Sequence, residues 1–369
     1  MKQKKLILYF DEPSIYREAV YNKIEETYDC EWFFDKADKG VGRFDASSYK
    51  SVSYLPIKRI GPFYFVEGLL SLLRKDCTRY LMIGATANVS LFLLLVTKCL
   101  ICRQKKVYLW THGFYGKEGW FNKTFWKRPM LKMADGIFTY GDYAKNIMIE
   151  DGFDEGGIFP IHNSLDYDKQ LELRNSIIPS FIYIDHFENT LPTLIFIGRL
   201  TKVKKLDMIV DALSILRKKG KMYNLVFVGD GIEKDSLESK VETLGLKKQV
   251  WFYGACYDEK ANAELIFNAD LCVAPGNIGL TAIHSLMFGC PAVSHNDFKF
   301  QMPEFEVIKP GLTGDFFEKD NILSLADTIA TWIEHNVGNR ATVRKKCYEV
   351  IDESWNPNFQ INILTKHLV

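Results

Sequence analysis

Gly198 closes the apolar run LIFI at residues 194–197, Arg199 follows it directly, and Lys204 stands six residues beyond the glycine. Glycine lets a ligand approach the backbone, arginine offers a planar fork of donors and lysine a compact point charge, a set that suits a diphosphate. Two surface cations opening a helix would give the same spacing. A second signal lies in PGNIGL, residues 275–280, where Asn277, Gly279 and Leu280 lead into a short helix. Its open backbone N–H groups and helix dipole attract negative charge. Gly289 and Pro291 stop that helix before an apolar strand resumes. A cationic site and an amide site at strand ends of one domain can bracket a pyrophosphate. The Walker pattern and GxGxxG are both absent; VGDG at 228–231, with Gly229, comes nearest.

His112 follows the strand VYLWT and precedes Gly113, which puts it at a strand's C-terminal end. A histidine there is either structural or a ligand contact at the end of a strand. Asp11 and Glu12, just after the first strand, likewise stand near the cleft mouth. The segment SHNDFKFQMPEFE, residues 294–306, offers His295, Asn296, Asp297, Gln301, Glu304 and Glu306 as further polar groups, or as a solvated loop.

These groups need a scaffold of parallel strands. The first half alternates short β-branched or aromatic runs (KLILYF, CEWFF, RYLMIG, KVYLW) with helix-sized segments, and the second half does the same (TLIFI, NLVFV, VWFYG, DLCV). The expected fold is α/β: two Rossmann-like doubly wound domains facing across a cleft. Residues 1–170 form the first, residues 190–345 the second, and residues 346–369 supply a last helix crossing back to the first. The polar stretch 166–192 is the linker. KKLDMIVDALSILRKKG predicts a strong amphipathic helix, with Leu206, Ile209, Val210, Leu213 and Leu216 at helical spacing.

A chain of 369 residues, 47% apolar, buries substantial cores, and its 47 basic against 46 acidic residues leave no overall field that favours nucleic acid. Eight scattered cysteines read as reduced thiols, including Cys99 and Cys102, whose two-residue spacing lacks the second pair of a zinc site. No secretion signal opens the chain, because the apolar run from Leu6 ends at Asp11. Residues 81–101 are long enough to span a bilayer, but Gly84 and Asn88 divide them into a strand and a core helix. A cytoplasmic protein is expected. Trp120, Phe121, Phe125 and Trp126 interleave with Lys123, Lys127, Arg128 and Lys132. Such a helix over residues 120–132 suits an anionic membrane surface, or else packs its rings on the domain core.

The second half resembles the donor-binding domain of GT-B nucleotide-sugar glycosyltransferases, specifically the large retaining family four. GRLTKVKKLD, LVFVGDG, VWFYGA, ADLCVAPGNIGLTAIHSLMFGCPAV and KPGLTG carry the resemblance from about residue 194 to 314. THG and ADGIFTYGDYAKNIM resemble the acceptor domain more loosely. The resemblance implies donor phosphates on Arg199 and Lys204, a distal phosphate on the amides near Gly279 and Leu280, and a base beside Tyr253 and Gly254. It also implies a role for His112 at the sugar or the leaving phosphate, and retention of anomeric configuration. The family places two glutamates eight positions apart where this chain has Gly276 and His284. Glycine removes an acceptor for sugar hydroxyls, whereas neutral histidine still hydrogen-bonds a ribose hydroxyl. Asn277, Asn296 or Glu304 are the candidate replacements.

The function expected is transfer of a sugar from a nucleotide-diphosphate donor to a glycan acceptor, lipid-linked if the 120–132 helix meets a membrane, as in bacterial surface polysaccharide assembly. The cations and amides meet the developing phosphate charge, so neither a metal nor another cofactor is needed. Two rivals remain: a catalytically silent nucleotide-sugar or glycan-binding partner that lost its acid at Gly276, and a nucleotide-sugar epimerase.

Overall fold

The computed structural model describes residues 4–36, 42–119, 123–336 and 338–368. It divides into two compact units, Met1–Asp166 with Asn356–Val369, and Tyr167–Trp355.

The first unit is built on eight strands: β1 (Lys5–Phe10), β2 (Asp29–Lys36), β3 (Val52–Ile60), β4 (Phe63–Val66), β5 (Arg79–Ile83), β6 (Lys106–Thr111), β7 (Gly136–Thr139) and β8 (Ile158–Pro160). Their order is β4-β3-β2-β1-β5-β6-β7-β8, and every pairing is parallel except the β3–β4 hairpin. Crossover helices cover both faces of such a sheet, so its central strands carry unbroken apolar runs. Residues 6–10 of β1 are all buried, as are residues 107–111 in β6. Residues 81–101 resolve into the end of β5 and the helix Val89–Leu100, capped by Asn88, whose side chain accepts from Leu91 N–H. No helix among the described residues is long and apolar enough to cross a membrane.

The second unit has six parallel strands: β9 (Thr193–Ile197), β10 (Asn224–Val228), β11 (Val250–Gly254), β12 (Leu271–Val273), β13 (Ala292–His295) and β14 (Gly314–Phe317). The order β11-β10-β9-β12-β13-β14 reverses direction between β9 and β12. Ligands of doubly wound sheets bind at that reversal, outside the carboxyl ends of the strands. The amphipathic segment forms the helix Asp207–Lys218, which buries Ile209, Val210, Leu213 and Leu216.

Two expectations about organisation change. The stretch taken as a linker holds the helices Tyr167–Ser176 and Ile182–Phe187, both within the second unit. The first hides from a periodicity reading because it buries Gln170 and no apolar residue fully. At the other end, the helix Arg340–Ser354 belongs to the second unit, and the return to the first begins at Asn356, which caps the helix Pro357–His367.

In the aromatic and basic segment, Trp126 follows the second of the two sequence readings and packs on the domain core. Trp120 and Phe121 lie outside the described residues. A π-helical turn at Lys123–Lys127 precedes the helix Arg128–Lys132, and it turns Trp126 inward. The Trp126 ring stacks on Phe92 at 4.7 Å and its Nε1–H donates to the Thr86 carbonyl. Lys127 pairs with Glu118 at 2.8 Å, and Lys132 lies over the Phe153 ring. Phe125 remains outward, 56% exposed.

Candidate functional site

The reversal point of the second sheet is lined by the ends of β9 and β12, where Gly198, Arg199 and the 275–280 loop sit. The rim is assembled largely from backbone. Gly229 has φ 150° and Gly231 has φ 157°. A Cβ on Gly229 would lie 1.9 Å from the Gly198 carbonyl oxygen, and one on Gly231 would lie 2.3 Å from that of Leu200. VGDG is therefore a packing device that lets the β10 end lie flat against the segment carrying Arg199. Arg199 itself is exposed.

Lys204 is tied down. Its Nζ donates to the Asn277 carbonyl at 2.6 Å and to Asn277 Oδ1 at 2.8 Å. Burial pushes its pKa down; Glu304 opposes that shift and Arg199 adds to it. Glu304 is 2% exposed. Asn277 and Glu304 thus both act on Lys204, one by hydrogen bonds and one by charge, whereas Asn296 stands exposed just after β13, where its Oδ1 accepts from Lys319 N–H.

Gly276 has a structural cause that its sequence context hides. Its N–H donates to the Lys204 carbonyl at 3.0 Å. A Cβ there would lie 2.1 Å from the Val203 carbonyl oxygen and 2.7 Å from Lys204 Cα. The segment holding Lys204 thus occupies the space in which any side chain at 276 would begin.

The loop is stapled from below by Gln301, which the sequence offered only as one more polar group, and by Ser294, to which it gave no role. Gln301 Oε1 accepts from Ile278 N–H at 3.0 Å, while its Nε2 donates to Ser294 Oγ at 2.7 Å and to the His295 carbonyl at 3.0 Å. Ser294 Oγ donates in turn to the Ala274 carbonyl. Both side chains are buried. Gly279 adopts φ 58° and ψ −150°, a backbone region essentially reserved for glycine, and starts the helix Leu280–Met287 without a side-chain cap. Thr281 Oγ1 anchors the first turn by donating to the Ile197 carbonyl at 2.9 Å. An uncapped helix mouth is thereby fixed beside the β9 end.

His284, one turn further along, is engaged within the protein. Its Nε2 lies 2.9 Å from Glu259 Oε1, which also accepts from Gln170 Nε2 at 2.8 Å. Burial works to raise the Glu259 pKa, but the hydrogen bond and charge of His284, with Gln170, hold it below the ordinary carboxylate range. Tyr253 and Gly254 form the end of β11, four residues before the Asp258 cap of the helix Glu259–Asn268. No spacing rule links 259 to 284, which is why the pair is invisible in sequence.

In the first unit, the strand ends are furnished with side chains. His112 follows β6, packs at a tilt against Tyr140 at 4.5 Å and stacks on Tyr115 at 5.7 Å. Burial, with Arg17 and Lys127 nearby, pushes its pKa down to about 4, so it is a neutral imidazole at physiological pH. Its Nδ1 is buried and has no hydrogen-bond partner among the described residues. Arg17 is 5% exposed; its guanidinium donates to Tyr140 and Tyr21 hydroxyls and lies 3.6 Å from Asp11. Glu12 pairs with Arg43. The eight cysteines are free, and Cys99 and Cys102 are both only half-buried.

Residues 184–350 match the family model of glycosyl transferases group 1. A GDP-mannose-dependent alpha-(1-6)-phosphatidylinositol dimannoside mannosyltransferase of Mycobacterium tuberculosis is 38% identical over 103 residues, 27% of this chain and 26% of that protein. The match therefore spans about a quarter of that relative's length. Mannosylfructose-phosphate synthase of Agrobacterium fabrum is 28% identical over 169 residues, 42% of this chain and 34% of its own. Among solved structures, a lipopolysaccharide outer core galactosyltransferase, WaaB, aligns with TM-score 0.74 at 15% identity, covering 99% of this chain and 100% of that one. Anabaena HepE in complex with UDP aligns with TM-score 0.69 at 15% identity, covering 98% and 99%. Alignment over nearly the whole chain gives the fold as GT-B, with two Rossmann-like domains in one polypeptide.

Proposed function

We propose that this GT-B chain, whose residues 184–350 match glycosyl transferases group 1, moves a sugar from a nucleotide-diphosphate donor to a glycan acceptor. The observation that carries the reading is the pairing, at the reversal point of the second sheet, of exposed Arg199 and knotted Lys204 with the uncapped helix mouth at Gly279. Charge builds on the leaving phosphate as the glycosidic bond breaks, and preorganised cations and amides meet it there. That complement answers the chemistry without a metal ion. His112, neutral and with an open buried Nδ1, is the first unit's candidate contact to the sugar or leaving group, and transfer with retention follows the family pattern. The name of the mycobacterial phosphatidylinositol dimannoside mannosyltransferase favours a lipid-linked acceptor, handled at the cytoplasmic face of the membrane in surface glycan assembly.

A second reading is a nucleotide-sugar-binding partner without transferase activity, favoured by the missing acceptor at Gly276. A thermal-shift screen of the purified chain against uridine, guanosine, thymidine and cytidine diphosphates and their sugars tests the donor site, with Arg199→Ala as control. A ligand at a hundred times its Kd adds about 2.7 kcal/mol. Selective stabilisation lost in the variant supports the donor reading. Its absence from folded protein defeats it. Binding without transfer or hydrolysis selects the silent partner.

A further inference from the structure

At the opposite end of the second sheet, the amino ends of β9 and β12 border a groove of about 410 Å³ whose lining lies wholly within the second unit. That volume is in the range of sites for small organic ligands. Pro179, Phe181, Ile184, Leu191 and Phe267 supply apolar walls, and Arg344 lines the groove from the helix Arg340–Ser354. The outer wall is held in place. Ser180 N–H donates to Asn268 Oδ1 at 3.0 Å, and Asn268 Nδ2 donates back to Ser180 Oγ at 3.1 Å. Tyr183 Oη donates to the Leu265 carbonyl at 2.7 Å, which anchors the helix Ile182–Phe187. Phe181 nevertheless stays 71% exposed and Ile184 40%. β9 runs five residues from this groove to Gly198, so about 16 Å separates it from the cationic rim.

The charges bordering the groove do not cancel. Asp270 is committed at both oxygens: Oδ1 pairs with Arg340 at 2.8 Å and Oδ2 accepts from Thr193 N–H at 2.8 Å. Arg340 gives its remaining contacts to the Phe267 and Ala269 carbonyls. Arg344 has no acid partner among the described residues. Its Nη2 donates to the Phe267 carbonyl at 2.9 Å, its guanidinium lies 3.6 Å from the centre of the Phe267 ring, and its Nε is buried without an acceptor. Burial pushes its pKa down and Arg340 adds to the shift; the opposing groups, Tyr348, Cys290 and Cys347, are a phenol and two thiols, uncharged at neutral pH. The helix carrying both arginines opens without a side-chain cap or an acid in its first turn, so its dipole adds to the positive potential. A guanidinium half withdrawn from water beside apolar walls gains most from an anion that brings apolar surface with it.

We propose that this groove binds a small organic monoanion, a carboxylate on an aliphatic or aromatic body, with Arg344 taking the head and Phe181, Ile184 and Leu191 covering the body. Two arginines against one carboxylate leave a single uncompensated charge, which one carboxylate head neutralises. Inorganic anions answer only the cation, and neutral amphiphiles only the walls. The site is separate from the donor phosphates and does not rest on the donor reading above.

Ligand-observed NMR on the full chain tests this with octanoate, acetate and 1-octanol, in wild type, Arg344→Leu, Arg344→Lys, Phe181→Ser and Arg199→Ala. Wild type is expected to bind octanoate about 100-fold or more tighter than acetate, the scale of several buried methylenes. It is expected to prefer octanoate over octanol by about tenfold, the scale of a hydrogen bond to a charged group. Arg344→Leu removes that preference and leaves octanol binding unchanged, while Arg344→Lys, which keeps the charge, restores part of it. Phe181→Ser, at an exposed position that folding does not depend on, weakens octanoate and octanol together. Arg199→Ala and added UDP leave octanoate binding as in wild type. Octanoate bound no tighter than acetate or octanol, or bound equally in wild type, Arg344→Leu and Phe181→Ser, overturns the assignment. Competition by UDP, or loss in Arg199→Ala, puts octanoate at the donor rim and overturns it too. A dimer that Phe181→Ser dissolves, with no octanoate binding, gives the groove to a second copy of this chain and has the same consequence. The octanoate-to-octanol ratio compares two ligands on one protein, so a loss of stability in Arg344→Leu does not imitate the result.

Discussion

The two strand-end rims of this chain are made of different material. In the second unit, β9, β10 and β12 end in Gly198, Gly229 and Gly276, whose neighbours pack so closely that a Cβ would lie 1.9 Å from a carbonyl oxygen at Gly229 and 2.1 Å at Gly276. In the first unit, the ends of β1, β6 and β7 carry Arg17, His112, Tyr115 and Tyr140, stacked and hydrogen-bonded through side chains. A backbone rim suits what all diphosphates share, whereas a side-chain rim suits shape and polarity that differ between ligands. Under the proposed function, general anion binding would fall to one unit and acceptor discrimination to the other.

The sharpest way to break that contrast is to put a side chain into the backbone rim. Gly276→Glu is expected to destabilise the second unit by about 3 kcal/mol, the upper range for overpacking, and to lower Tm by about 6–12 °C. An unchanged Tm would mean that the 203–204 segment moves aside freely. Next in size, Arg199→Ala and Lys204→Met are each expected to weaken nucleotide diphosphate binding by about 10- to 100-fold in calorimetry, with little change in Tm for Arg199→Ala. Equal losses from His112→Ala would erase the proposed division of labour; that variant should instead lower transfer and leave nucleotide affinity alone.

A smaller effect is set by pH. His112 and His295 are both pushed down to about 4 by burial, helped by Arg17 and Lys319 respectively. Between about pH 6.5 and 4 the unfolded chain binds protons that the folded chain refuses. Stability is therefore complete above that window and falls through it as pH drops, by up to about 1.4 kcal/mol per pH unit for each group. Asp35, raised to about 6 by burial, acts in the opposite sense over the lower part of the window. Urea midpoints at pH 7 and 5 should converge in His112→Asn relative to wild type. The least effect is expected from Phe125→Ser, which should reduce sedimentation with anionic vesicles only modestly, because Trp126 and Lys127 point inward. A large loss would restore weight to the 120–132 segment.

What could be read from sequence follows from the range of the interactions involved. Buried parallel strands announce themselves as apolar runs, so β9 and β10 were legible, and the cations after Gly198 followed from them. The helix Tyr167–Ser176 was not, because its polar sequence lacks an apolar face. Lys204 and Asn277 were each visible as candidates, but the bond between them spans 73 residues and belongs to tertiary structure. The same is true of His284 with Glu259, and of Gln301, whose amide looked like one more polar loop group. Trp126 stayed ambiguous between membrane and core because the π-helical turn at Lys123–Lys127 departs from regular α-helical spacing.

The crowding at Gly276 also bears on how this sequence can change over generations. A single codon change to an acid meets the Val203 carbonyl, so the route runs first through alterations that retract the 203–204 segment, which alone would loosen Lys204 and yield no acid. Each half of the change is a loss until the other is present. The glycine is therefore entrenched, and descendants of this protein are expected to diversify the residues around a fixed position 276.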